Sequence, residues 1–105
     1  KEIFINEARC LKINSPCFVV GDLHGNLNNL MTYELQLWRL LPAAQSANIL
    51  FLGNLVDGEK FGVETVAYLF CLKILMPEKV FIIRGNHEVR SVQMSSTFYK
   101  ECIDK

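Results

Sequence analysis

The sequence predicts an α/β chain with the order β-α-β-α-β, on three observations. Short apolar runs with β-branched and aromatic content recur at residues 18–20, 49–52 and 80–83, as buried strands do. Each run stops at or just before a glycine, Gly21, Gly53 or Gly85, and polar residues follow it. Between the runs lie two longer segments with apolar residues at three- and four-residue steps, closed by Pro42 and Pro77, the pattern of amphipathic helices with proline stops. Strands that are apolar on both faces belong in a parallel sheet. In open α/β sheets ligands bind outside the carboxyl ends of the strands, so three polar turns at three such ends converge on one site.

The elements follow in chain order. Ile3, Phe4 and Ala8 stand at helical spacing with no capping residue before Lys1, so the chain opens on what reads as the end of a helix. Leu11, Lys12 and Ile13 alternate and predict a short strand, and Asn14, Ser15 and Pro16 a turn. The strand at 18–20 comes next. Asn26 is a good N-cap for a helix carrying Leu27, Leu30, Met31, Leu35, Trp38 and Leu41 and ending at Pro42. Residues 43–47 connect to the strand at 49–52. A second helix is predicted over 63–76, then the strand at 80–83. The tail, 89–105, is mixed, with Phe98, Tyr99, Cys102 and Ile103 able to face a core. No internal repeat or low-complexity segment appears.

Composition narrows the class. The chain has 105 residues, is 50% hydrophobic and carries a formal net charge of +0. One core-forming domain is the expectation, over residues 1–105. Zero net charge argues against nucleic-acid binding through a broad basic face. No apolar run approaches the ~20 residues that span a bilayer: the longest, 66–76, is interrupted by Lys73. Cys10, Cys17, Cys71 and Cys102 form no C-x-x-C pair. Cys17 and Cys71 read as small core hydrophobes, and the set reads as that of a reducing compartment, cytoplasm or nucleus.

The chemistry starts at Gly21-Asp22-Leu23-His24-Gly25. Residues i and i+2 of an extended or turning backbone project to one side, so Asp22 and His24 can meet at a point beyond the strand end. A carboxylate oxygen and an imidazole nitrogen there suit a divalent metal such as Zn, Mn or Fe. Taken alone, a strand-to-helix turn whose Asp caps the next helix explains this motif as well. The following helix would also open its N-terminus beside the pair, which favours an anion such as phosphate.

Taken together, Gly21-Asp22-Leu23-His24-Gly25, Gly53-Asn54-Leu55-Val56-Asp57 and Gly85-Asn86-His87-Glu88 resemble the three-part signature of metallophosphoesterases. With Arg84 before the third part and Phe98-Tyr99-Lys100-Glu101-Cys102 after it, the chain is most similar to the phosphoprotein phosphatases, the serine/threonine protein phosphatases of the calcineurin-like superfamily. The resemblance covers nearly the whole chain but about the first third of a family catalytic domain. It implies part of an α/β sandwich and a two-metal hydrolase. Asp22 and His24 would hold the first metal, Asn86 the second, and Asn54 stands where the family has the bridging aspartate. The two divalent ions, Mn, Fe or Zn, would activate a water for in-line attack on phosphorus. His87 would protonate the leaving oxygen, Asp57 would orient His87, and Glu88 would support the loop. The implied partner is a phosphoserine or phosphothreonine protein, or a regulatory protein, with neither nucleic acid nor membrane.

The sequence departs from the family at two of these positions. Asn54 is a neutral amide with one good acceptor oxygen, poorly suited to bridge two dications ~3.5–4 Å apart. Gly58 stands where the family has an arginine that would clamp the phosphate, and Glu59 beside it repels anions. His24 and His87 are the only histidines, whereas the family draws further ligands from a later part of its domain. The expectation is therefore one divalent ion, weakly held, and little or no turnover. The alternative is a pseudophosphatase that binds a partner protein on the same fold. A nucleotide-directed metallophosphoesterase is a weaker third reading, against which Glu88 and the 98–102 tail argue.

Overall fold

Parallel pairing joins β1 (Cys17–Val20), β2 (Asn48–Phe51) and β3 (Val80–Ile82) in that order. This computed structural model describes residues 1–38 and 47–105 of the chain. Cys17 stands opposite Asn48, Val20 opposite Phe51 and Phe51 opposite Ile82. The register therefore lines up Phe18, Val20, Ile49, Phe51, Val80 and Ile82 on one face. The ladder runs one residue past each strand: Leu52 N–H donates to Val20 O and Ile83 N–H to Phe51 O, both at 3.0 Å.

Two crossovers join the strands. The first contains α2 (Leu27–Tyr33), which continues as a wider π turn over Glu34–Trp38. Asn26 caps it, its side-chain oxygen accepting the Asn29 N–H at 3.1 Å; the cap role is thus taken by Asn26, not Asp22. The predicted helix end at Leu41 and Pro42, and residues 43–46 of the loop, lie outside the described residues. The second crossover is α3 (Gly62–Leu75). Right-handed connections between strands in sequential order carry both helices to the same face. There Leu30 of α2 and Leu69 and Leu72 of α3 join Val20, Ile49, Phe51 and Val80 in the core. Phe51, Ile49, Leu30 and Leu69 are fully buried, each worth roughly 1.5–3 kcal/mol of transfer free energy. The other face is thinly covered, with Val19 60% exposed.

A short helix, α1 (Glu2–Asn6), precedes the sheet. The tail forms α4 (Arg90–Ser95) and α5 (Thr97–Asp104) after a 3-10 turn at Asn86–Glu88. Phe98 packs on the core, while Tyr99, Cys102 and Ile103 are exposed.

Two expectations are corrected. Leu11 to Ile13 is not a strand: among the described residues β1 pairs only with β2, so alternation over three residues finds no partner ladder. Cys71 is exposed, not core. α3 is apolar around most of its circumference, with Ile74 and Leu75 exposed as well, so periodicity could not say which side is buried. The buried side instead holds Lys73, 1% exposed. Its ammonium pairs with Glu7, donates to the Val80 and Pro77 carbonyls, and lies 4.9 Å from the Phe81 ring centroid. It ties α1, α3 and β3 together. Among the described residues no helix is long and apolar enough to cross a membrane.

Candidate active site

The three glycine-terminated strands deliver their turns to one edge of the sheet, and backbone bonds tie the turns together. Leu23 and His24 N–H both donate to Asn54 O, at 3.1 and 2.9 Å. Gly25 N–H reaches Leu55 O at 2.8 Å and Glu59 N–H reaches His24 O at 2.7 Å. The second and third turns meet backbone to backbone. Gly53 has φ +97°, and a Cβ on it would overlap the Gly85 nitrogen, so only glycine serves there. The Glu88 carboxylate joins the same two turns: Oε2 accepts Asn54 N–H and Gly85 N–H, each at 2.8 Å, and Oε1 accepts Leu55 N–H at 2.7 Å. Glu88 does support the loop, and it supports two loops at once.

Three non-glycine residues of these turns sit in the left-handed region: His24 at φ 48°, Asn54 at 51° and Asp57 at 64°. Such conformations cost roughly 1–3 kcal/mol each and concentrate at functional sites. The turn-to-turn bonds hold them in place.

The side chains then fall into two linked pairs. His24 Nδ1 lies 2.8 Å from Asp57 O and 3.1 Å from Val56 O. Carbonyls only accept, so Nδ1 carries the proton and shares it between them. His24 Nε2 is left 3.3 Å from Asp22 Oδ2. Burial pushes the His24 pKa down, but the two carbonyls and the Asp22 carboxylate favour the imidazolium and hold it above the ordinary 6.5. In the second pair, His87 Nδ1 lies 3.1 Å from Asp57 Oδ2. Asp57 is 8% exposed, and its Oδ1 accepts the Phe98 N–H at 2.8 Å. The two imidazoles meet edge to face, with centroids 4.9 Å apart at 87°.

Asp22, His24, Asp57 and His87 are therefore contiguous. Asn54 joins them through Oδ1, which accepts the His87 backbone N–H at 3.1 Å. Asn86 stands beside His87 in the 3-10 turn, exposed and with no side-chain partner among the described residues. Among the described residues no three His, Cys, Asp or Glu side chains gather as a metal cage. Gly58 has φ +147°, and a Cβ there would lie 2.9 Å from His24 Cβ. Lys60 lines a groove of about 280 Å³ with Gly58, Glu59 and Lys100. Arg84 lines an apolar groove with Phe4, Phe70 and Ile83. Sequence reading missed the anchoring of Asp57 by Phe98, 41 residues away. It also missed the left-handed turns, because Asn54 and Asp57 tolerate but do not announce that conformation.

Residues 15–105 match the family described as calcineurin-like phosphoesterase. All 105 residues align at 36% identity with the serine/threonine-protein phosphatase PP2A-like PPG1 of Saccharomyces cerevisiae, covering 27% of that protein. They align at 38% identity with a protein phosphatase 2A catalytic protein of Dictyostelium discoideum, covering 32% of it. Among solved structures, a serine/threonine phosphatase from Saccharomyces cerevisiae with similarity to human phosphatase PP5 superposes with a TM-score of 0.77 at 31% identity. That match covers 85% of this chain and 27% of the other. The chain spans about a third, or less, of the length of the curated relatives it matches.

Proposed function

The chain belongs to the calcineurin-like phosphoesterase family, and on that premise we propose that it is the N-terminal part of a serine/threonine protein phosphatase domain that by itself turns over little or no phosphoester. The observation that carries this reading is the donor set: one carboxylate and one imidazole, Asp22 Oδ2 and His24 Nε2, 3.3 Å apart.

These two atoms fit one divalent ion. His24 spends its Nδ1 proton on backbone carbonyls, which fixes the tautomer that offers Nε2 as a ligand. A second ion fits poorly. The Asn54 amide is neutral, and its acceptor oxygen already holds the His87 N–H; Asn86 would be the remaining ligand. A divalent ion bound at Asp22 and His24 would polarise a phosphoryl oxygen and lower the pKa of water. In this reading Asp57 accepts the His87 Nδ1 proton and fixes the ring, which leaves Nε2 to give a proton to a departing serine or threonine oxygen. Glu88 keeps Asn54 and Gly85 in register around that ring. Gly58 supplies no guanidinium for the phosphate, and charge-assisted bonds of that kind are worth roughly 1.5–3 kcal/mol each.

The substrate proposed for the full domain is a phosphoserine or phosphothreonine protein. The four cysteines are unpaired, which supports a reducing compartment, cytoplasmic or nuclear. A second reading, a pseudophosphatase that binds a protein partner, draws support from the exposed apolar side chains Val19, Phe70 and Ile74. The test is phosphate release from a phosphothreonine peptide with Mn²⁺ present, by the chain and by His87→Ala. No measurable release is expected from either. Turnover by the unmodified chain that His87→Ala abolishes would overturn the reading and make Asn54 a working ligand.

A further inference from the structure

We infer that Glu101, on α5, is a positioning residue for the Asp57–His87 pair, an inference that rests on the role proposed for that pair. Glu101 touches neither ring nor phosphate. It acts through an exchange of caps between two helices.

α3 begins at Gly62 with Phe61 before it, and no residue of its own start caps it through a side chain. The first turn of a helix leaves N–H groups without partners. Here Val63 N–H donates to Glu101 Oε2 at 2.6 Å, across 38 residues of sequence. α5 has the same lack: Ser96 stands at its N-cap without a side-chain bond. Its Phe98 N–H donates instead to Asp57 Oδ1 at 2.8 Å, and Asp57 lies in the loop that leads into α3. Each helix start is thus capped by a carboxylate from the other's neighbourhood, with the sign that the helix dipole favours at both.

The interface is built to let α5 close on α3. A Cβ on Gly62 would stand 2.8 Å from Glu101 Oε2 and 3.2 Å from Phe98 Cδ2. The bare backbone at Gly62 admits both side chains. Phe98 packs on the core from the same turn of α5, and Lys105 closes the far end with bonds to Lys60 O and the Glu64 carboxylate. The position of α5 therefore fixes Asp57 Oδ1. Its partner oxygen Oδ2, on the same rigid carboxylate, fixes His87 Nδ1 at 3.1 Å. Loosening the Glu101 cap lets the α5 start drift, and the His87 ring loses its orientation although nothing near it has changed.

The measurement is nitrogen NMR of the His87 imidazole in the metal-free chain at neutral pH, comparing the parent with Glu101→Ala, Glu101→Gln and the core variant Ile49→Val. The parent should have His87 protonated at Nδ1 and hydrogen-bonded. In Glu101→Ala, solvent exchange of that proton should rise about tenfold or more, the equivalent of one bond to a charged acceptor. Glu101→Gln keeps an acceptor oxygen and should fall between the two. Ile49→Val destabilises the core and should leave the His87 signal as in the parent. The inference is overturned if both Glu101 variants leave the signal unchanged, or if Ile49→Val changes it as much as they do. Should Glu101→Ala fail to fold, Glu101→Gln against Ile49→Val decides by the same criterion. A parent chain with His87 protonated at Nε2 instead would overturn the Asp57–His87 pair itself.

Discussion

Removing the Glu88 carboxylate should destabilise the chain more than any other single change at the site. Its two oxygens accept three backbone N–H groups from two different turns, at 2.7–2.8 Å. A hydrogen bond to a charged acceptor contributes roughly 1.5–3 kcal/mol. Simple addition gives an upper bound of about 4.5–9 kcal/mol, but such values do not add within one network. Glu88 is half-buried, so water can reach some of the freed N–H groups. We expect Glu88→Ala to cost about 3–4 kcal/mol, a large share of the ~5–15 kcal/mol that holds a domain folded. Glu88→Gln keeps one oxygen and turns an amide N–H₂ toward the donor on the other side; it should cost about 1–3 kcal/mol. Urea unfolding followed by circular dichroism reads both. Amide exchange should rise first at Asn54, Leu55 and Gly85, before the core strands open. If Glu88→Ala stays within about 0.5 kcal/mol of the parent, the range of an ordinary surface substitution, the two turns are held by something else.

Installing the family's arginine should also disturb the site. Gly58 occupies φ +147° with His24 Cβ where its own Cβ would go, so Gly58→Arg should cost about 1–3 kcal/mol and shift the His24 resonances; an unchanged His24 spectrum would contradict this. The pKa of His24 is raised above its ordinary 6.5. The folded state therefore binds the proton more tightly than the unfolded state does, and the resulting stability is fully present below the unfolded pKa and lost as pH rises through the folded one. Proton NMR titration of the metal-free chain should place His24 above 6.5, and Asp22→Asn should lower it; a value at or below 6.5 in the parent would refute the assignment of its partners.

The strands and the site edge were legible because their signals are local. A run such as Ile49-Leu50-Phe51 ending in a glycine states both the strand and its stop, and the Gly53 and Gly85 turns do need glycine where they meet. Asn26 announced its cap and performs it. The convergence of Asp22, His24, Asp57 and His87 followed from parallel topology, since three strand ends in one sheet share an edge. What stayed hidden depends on contacts remote in sequence. Lys73 reads as a break in an apolar helix, yet it is buried because Glu7, 66 residues away, and two carbonyls receive its ammonium. Cys71 reads as core on a helix whose apolar surface exceeds what the sheet covers. The tail carried no periodic signal strong enough to divide it, although Ser96 separates α4 from α5 and Asp57 and Glu101 decide where α5 docks. The readings of Asn54 and Gly58 as departures were chemical, but the left-handed backbone at both became visible only with the turns in place.

Calorimetric titration of the metal-free chain with Mn²⁺ tests the central claim most directly, that the site offers one carboxylate and one imidazole to a single ion. The expected isotherm has one weak site per chain, and that site disappears in His24→Ala. Two tight sites per chain, or a site that survives His24→Ala, would contradict the account and put the ligands elsewhere.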